Sequence, residues 1–298
     1  MAETEWIKRY IVPLVTAEGA DGLRDDVAIL SSDGTIIANV DMLIEGIHFL
    51  ERDPIDTVGQ KLVRVNVSDI VAKGAEPLEA LLSIAWPRGW VEADFADLIA
   101  GIARDFEHFG ISLVGGDTVG TEGPLSLSLT LTGRCLGPRP VRRGGARAGQ
   151  GLFVSGEIGW GHLGLEAALS GDNPAVAERY RVPQIGGVDL ARTIAEHASA
   201  SMDVSDGLLI DVTRIGESSD CGVHVELEEI PLAQPSGDLD IIMDQCTGGD
   251  DYLALIAADS QLDLPGFTKI GTLTAEHGLR LTYKGQDFNP PVTLGFEH

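Results

Sequence analysis

The chain has 298 residues, 44% of them hydrophobic and 22% charged, which is the balance of an ordinary globular protein and excludes wholesale disorder. With 46 Asp and Glu against 21 Lys and Arg it carries a net charge of −25, a field that repels nucleic-acid backbone and anionic membrane alike. A chain of this length outgrows what one core usually fills, so two domains are expected.

No apolar run approaches the roughly 20 residues a membrane span needs, and the N-terminus lacks a basic region followed by an apolar one, so the expected location is the cytoplasm. Cys135, Cys221 and Cys246 are widely separated and fit neither a disulfide framework nor a metal-binding pair, which leaves them as reduced thiols.

Trp6, Ile7, Tyr10, Ile11 and Leu14 are spaced as a helix that Pro13 ends or kinks. Val27–Leu30 and Thr35–Val40, joined by Ser31-Ser32-Asp33-Gly34, read as a hairpin. A helix is predicted over Thr57–Lys73 with Gly74 as its stop, then a strand over Leu78–Trp86 and a helix over Asp94–Phe109 closed by Gly110. Strands follow at Ile111–Val114 and Leu125–Thr132, the second alternating Leu with Ser or Thr. Gly137–Gly149, rich in Gly, Pro and Arg, is the candidate linker. Beyond it the patterns predict a strand at Leu152–Ser155 and helices from His162, over Val188–Ala198 and after Asp206. Further strands are predicted at Val223–Leu227, Tyr252–Ala257 and Leu279–Tyr283. The irregular order of helices and strands favours mixed α+β domains over a doubly wound sheet.

Several aspartates sit beside Gly, Ser, Asn or another Asp at expected element boundaries: Asp25-Asp26, Asp41, Asp69, Asp117, Asp203, Asp206 and Asp250-Asp251. Two readings stand. Carboxylates near hydroxyls and carbonyls are the donors that hard cations such as Mg²⁺ require; Asp is also common at turns and helix N-caps. Asn66-Val67-Ser68-Asp69 and Asp203-Val204-Ser205-Asp206 echo one another, although four residues do not establish a duplication. Gly159-Trp160-Gly161-His162-Leu163-Gly164 fits the dinucleotide fingerprint, but no strand ends in an acidic residue about 20 positions on, and a close strand-to-helix turn explains it better. Arg139, Arg142, Arg143 and Arg147 form either a solvated face or a phosphate clamp.

Read in order, seven blocks resemble thiamine-monophosphate kinase, of the superfamily that contains aminoimidazole ribonucleotide synthetase. They are Arg24–Leu30, Asp41–Phe49, Lys61–Ala75, Gly115–Thr118, Arg143–Ala146, Met202–Leu208 and Gly248–Tyr252. The resemblance implies an α+β protein of two α/β domains, residues 1–138 and 139–298. The first would bind ATP and metal and pair its four-stranded sheet across a homodimer; the second would close the site. It implies metal ligands at Asp26, Asp41, Asp69, Asp117, Asp203 and Asp206, with Asn39 able to add a side-chain carbonyl. It implies ATP contacts at Gly116, Asp117, Arg143 and Ser205, and substrate contacts at His48, Asp250 and Phe296. No side chain is assigned as a catalytic base. The implied reaction is Mg²⁺-assisted phosphoryl transfer from ATP to thiamine monophosphate, several Mg²⁺ ions serving as cofactor. This sequence has Arg24 where the family usually has Gly, Asn39-Val40 where hydroxyl residues precede Asp41, and Asp250, Leu253 and Phe296 for Glu, Glu and Trp. Two alternatives remain: a related ATP-using enzyme with a different phosphorylated substrate, and a noncatalytic nucleotide-binding homologue.

Overall fold

The computed structural model describes residues 7–16 and 34–296. Trp6, Arg24, Asp25, Asp26 and the expected strand Val27–Leu30 lie outside the described residues. The chain divides into two compact units: one takes the chain up to Ile70 and then Glu76–Cys135, the other Val71–Ala75 and Leu136 onward.

In the first unit, a π-helical turn at Ile7–Ile11 runs into a short 3-10 turn at Val12–Leu14 that contains Pro13, in place of a regular helix. Then come β1 (Ile36–Ile44), α1 (Ile55–Ala72), β2 (Ala75–Pro87), α2 (Glu92–Phe109), β3 (Ser112–Thr121) and β4 (Ser126–Cys135). The strands form one sheet in the order β1-β4-β2-β3, with β1 and β4 antiparallel and β2 and β3 parallel. Alternation in β4 works as the sequence suggests: Leu127, Leu129 and Leu131 are fully buried, while the intervening Ser and Thr residues stay partly exposed. Each such leucine contributes about 1.5–3 kcal/mol by leaving water.

The two helices of this unit approach closely because glycine lets them. A Cβ at Gly59 would lie 2.5 Å from the Leu98 carbonyl oxygen, and one at Gly101 would collide with the Asp56 carbonyl. Beside that crossing Asp105, 1% exposed, accepts from Arg64 Nε at 2.6 Å, Arg64 Nη2 at 3.2 Å and Gln60 Nε2 at 3.0 Å, tying α2 to α1. Gly110, left-handed at φ 69°, ends α2 as expected.

The expected strand at Ile111–Val114 runs on to Thr121, through Gly115-Gly116-Asp117-Thr118. Glycine and aspartate score poorly as strand residues, but parallel pairing with β2 supplies the missing stabilisation. Gly116 is required there, because a Cβ would strike the Leu82 carbonyl.

The second unit comprises β5 (Gly151–Val154), α3 (Trp160–Ser170), α4 (Pro174–Arg181), α5 (Val188–His197), β6 (Ala200–Val204) and α6 (Leu208–Ser218). It continues with β7 (Gly222–Glu226), α7 (Leu239–Thr247), β8 (Leu253–Ala258), β9 (Thr268–Thr274), β10 (Leu279–Tyr283) and β11 (Gln286–Phe288). Its sheet has the order β11-β10-β7-β9-β5-β8-β6, antiparallel except where β7 meets β10. Both sheets are therefore mixed, and neither is doubly wound. Leu152, Val154, Met202, Val204, Leu208, Leu209, Val212 and Leu255 share the larger core of this unit.

The predicted linker Gly137–Gly149 has no helix or strand, but it is packed down. Val141 and Ala146 are buried, and the Gly145 and Ala146 N–H groups donate to Ser219 Oγ at 3.3 and 3.2 Å. The two Val-Ser-Asp echoes adopt different structures, one inside α1 and one at the turn between β6 and α6. No helix among the described residues is long and apolar enough to cross a membrane.

Candidate functional site

Asp41, Asp69 and Asp117 lie within elements and not at their boundaries: Asp41 in β1, Asp69 in α1 and Asp117 in β3. Aspartate weakens helix and strand interiors locally, so its presence there requires an offsetting role.

In the first unit the pleat of β1 exposes Ala38, Val40 and Met42 on one face and turns Asn39 and Asp41 to the other, toward α1. Asn39 Nδ2 donates to Asp69 Oδ2 at 3.1 Å, the Asn66 carbonyl at 3.2 Å and, more weakly, Asp41 Oδ2 at 3.4 Å. The Asp41 N–H donates to Asn66 Oδ1 at 3.2 Å, and the fully buried Asn66 donates onward to the Leu62 carbonyl at 2.9 Å. Asn39 Oδ1 is buried with no hydrogen-bond partner. Burial, and then the nearby Asp69 charge, push the Asp41 carboxyl up to about 6, against the opposing hydrogen bond from Asn39.

Two like carboxylates beside an orphaned carbonyl oxygen are the donor chemistry of a hard cation. No group of three or more His, Cys, Asp or Glu among the described residues is arranged to hold a metal ion. The residues present thus fit a cation as a partial shell, to which other oxygens must be added.

His48 follows β1. Its Nδ1 accepts from the Ile44 N–H at 3.1 Å, which puts the proton of the neutral ring on Nε2. Its carbonyl takes Lys61 Nζ at 3.0 Å; Lys61 is only 1% exposed, so α1 anchors the His48 loop from within. Gly116 and Asp117 stand apart from this cluster. They are on β3, at the opposite edge of the sheet from β1 and three strand spacings away, about 14 Å. Asp117 pairs with Ser83 on the face that also exposes Leu81 and Val119.

The second unit gathers Asp203, Ser205, Asp206, Asp250 and Phe296. Asp203 is buried near the end of β6 and leads into the Ser205-Asp206 turn. The Asp250 N–H donates to the Ser205 carbonyl at 2.8 Å and the Tyr252 N–H to the Val204 carbonyl at 2.7 Å. The Phe296 N–H donates to the Asp206 carbonyl at 2.8 Å, leaving the Phe296 ring exposed. Asp250 and Tyr252 have left-handed backbones, φ 67° and 53°, and Tyr252 Oη donates to Asp250 Oδ1 at 2.7 Å. Non-glycine residues held this way cost about 1–3 kcal/mol each and cluster at functional sites. Arg143 is exposed, in a loop whose following Gly144 has no room for a Cβ against the Ser218 carbonyl.

Sequence reasoning missed Asp211 and Arg214, both on α6. Asp211 is fully buried; its Oδ2 accepts from the N–H groups of Ser205 at 3.1 Å and Asp206 at 3.2 Å. Arg214 Nη1 bridges Asp211 Oδ1 at 2.8 Å and Asp206 Oδ2 at 2.5 Å. Burial pushes the Asp211 carboxyl up to about 6 despite the opposing bond from Arg214. The available signal was the i, i+3 spacing, which puts both side chains on one helix face.

The glycine motif at Gly159–Gly164 opens α3, and the group its N–H donors hold is an internal carboxyl, that of Asp251. The Gly159 N–H lies 2.9 Å from Asp251 Oδ2 and 3.1 Å from Oδ1, and the Gly161 N–H donates to Oδ1 at 3.0 Å. The strand-to-helix turn expected from the sequence is what forms, with Asp251 in the position a phosphate takes in a dinucleotide fold. Burial pushes the Asp251 carboxyl up to about 7, opposed by the N–H groups of Gly161 and Gly159. The folded value exceeds the unfolded one of about 3.9, so the folded state holds the proton more tightly between them. This contribution to stability is complete below about pH 4 and is lost as pH rises through 7. In urea denaturation, the stability of the chain relative to Asp251→Asn is expected to fall steadily across that window; a difference independent of pH would refute the assignment.

Residues 24–135 match the family model described as AIR synthase related protein, N-terminal domain. With the two mixed sheets and the carboxylate sets they carry, this defines an AIR synthase-like α/β protein. A thiamine-monophosphate kinase from Caulobacter vibrioides is 36% identical over 322 residues, covering 99% of this chain and 90% of the relative. The crystal structure of thiamine-monophosphate kinase from Stenotrophomonas maltophilia superposes with a TM-score of 0.82 at 29% identity, over 94% of this chain and 96% of that one. AaThiL complexed with AMPPCP and TMP superposes with a TM-score of 0.77 at 28% identity, over 97% of each chain. The chain belongs to the thiamine-monophosphate kinase family.

Proposed function

We propose that this chain transfers the terminal phosphoryl group of ATP to the phosphate of thiamine monophosphate, giving thiamine diphosphate and ADP. The observation that carries the reading is the Asn39-Asp41-Asp69 cluster, a partial cation shell in a chain whose family acts on this substrate. The relative solved with an ATP analogue and TMP supports the choice of both substrates.

The acceptor is a phosphate monoester, whose second ionisation lies near pH 6, so its attacking oxygen is already largely anionic and needs no strong base. What the chain must supply is position and relief of repulsion between two anions. Asp41 and Asp69 would hold Mg²⁺ in the first unit, joined by Asn39 after rotation of its amide, with Asp26, Asp117 and Asp203 as further ligands. Bound Mg²⁺ supplies the positive charge that an acidic protein otherwise lacks beside phosphates. Gly116, Asp117, Arg143 and Ser205 contact the nucleotide in this reading, Arg143 as a bidentate donor to phosphate oxygens. His48 offers its Nε2–H to the acceptor, and Asp250 and Phe296 complete its contacts, the exposed ring by stacking.

The reading includes a homodimer. Its support is the sheet face of the first unit on which, among the described residues, Val40, Met42, Leu81 and Val119 are exposed side chains of a kind rarely left together in water. The wide separation of Asp41 and Asp117 across one sheet gives a second reason to expect two copies to cooperate.

ADP release measured with Mg-ATP and thiamine monophosphate, beside controls with unphosphorylated thiamine and with EDTA, tests the function. Turnover is expected only with both the monophosphate and Mg²⁺. Equal release with thiamine, or none with the monophosphate by protein that binds Mg-ATP, would sink the acceptor assignment. Sedimentation of the same preparation as a monomer would sink the dimer.

A further inference from the structure

We propose that Arg214 stands in for a divalent cation at Asp206, so that Asp206 fixes the shape of the Ser205-Asp206 turn and is not itself a metal ligand. The inference refines the metal-assisted reading above and rests on it.

Four groups form a closed ring. Asp211, fully buried, uses Oδ2 to hold the backbone N–H groups of Ser205 and Asp206, and Oδ1 to hold Arg214 Nη1. The same Nη1 reaches Asp206 Oδ2, so one guanidinium nitrogen joins the buried carboxylate to the side chain of the turn that Asp211 already grips by its backbone. The Asp206 side chain is 21% exposed and that of Arg214 31%, so the bridge is partly withdrawn from water and fixed at its far end by a residue with no exposure.

Chemistry favours permanence. A guanidinium does not lose its proton in proteins, and its planar fork suits carboxylate oxygens. Arg214 puts its single positive charge between the two carboxylates, so the Asp206 oxygen that it bonds already has a resident cation beside it. A divalent ion binding the same carboxylate would have to sit beside that charge or evict it, and eviction would leave buried Asp211 without its counter-ion. Asp203, Ser205 and the backbone of Asp250 share this turn, so its geometry matters to the site even if Asp206 binds no metal. Arg214 and Asp211 are thus positioning residues.

Counting bound ions tests this independently of turnover. The full chain is titrated with Mn²⁺ in the presence of a non-hydrolysable ATP analogue, unbound Mn²⁺ being read by electron paramagnetic resonance. Asp206→Asn is expected to bind as many ions as the unsubstituted chain. Arg214→Gln is expected to bind one more, which Asp206→Asn added to it removes. Loss of an ion in Asp206→Asn alone, or no gain in folded Arg214→Gln, overturns the proposal. Asp206→Asn is nearly isosteric, so it decides the matter if Arg214→Gln does not fold. If the unsubstituted chain holds no ion beyond those the nucleotide carries, the metal reading fails instead, and the two failures are distinguishable.

Discussion

Asp69→Asn is expected to lower Mg²⁺-dependent ADP release by on the order of 10²–10³, the scale of removing one group that stabilises developing charge in a reaction of this kind. The substitution keeps the shape of the side chain and leaves an oxygen for Asn39 Nδ2, so α1 and β1 should stay joined. It takes away one of the two charges in the cluster and, with it, a cause of the raised Asp41 value. The thermal midpoint should change little while the Mg²⁺ concentration for half-maximal rate rises. Unchanged turnover at saturating Mg²⁺ would show that the cluster does not hold the catalytic ion.

Asp105→Ala is expected to cost the first unit about 3 kcal/mol, the lower end of the range for breaking a buried ion pair. Arg64 would lose a two-point partner and Gln60 an acceptor. The lower end applies because the Arg64 side chain is 16% exposed, and its guanidinium, stacked 5.9 Å from the Phe109 ring centroid, can turn toward water. Urea denaturation measures the loss; a shift under about 1 kcal/mol would mean that the glycine-mediated approach of α1 and α2 carries their docking without the ion pair.

Where local signals and tertiary demands agree, the sequence is legible. The Leu/Ser-Thr alternation of β4 and the Gly110 stop of α2 each form where local reasoning puts them. Short or weakly patterned elements escape. In β6, Ala200–Val204, every residue is buried, so no alternation marks it, although it leads to the Ser205-Asp206 turn. The helix α4 announces itself by Asn173 before Pro174, a cap and first-turn pair that is easily taken for a loop. For α7 the signal was Asp238, whose side chain caps the Asp240 N–H. At the site, the family motifs bring forward Asp41, Asp69, Ser205, Asp206 and Asp250, and with them Lys61 and Asn66, but not the pair that holds the Ser205-Asp206 turn. Asp211 and Arg214 act from buried or half-buried positions, and their partners are fixed only once the chain has folded.

Asp251 has a further consequence for a protein that handles several phosphoryl groups. A glycine turn at the start of a helix is a resting place where an anion can bind without reacting. Because Asp251 is tethered to the same domain, it competes at an effective concentration that a dissolved phosphate does not match. The turn is thereby closed to wandering anions.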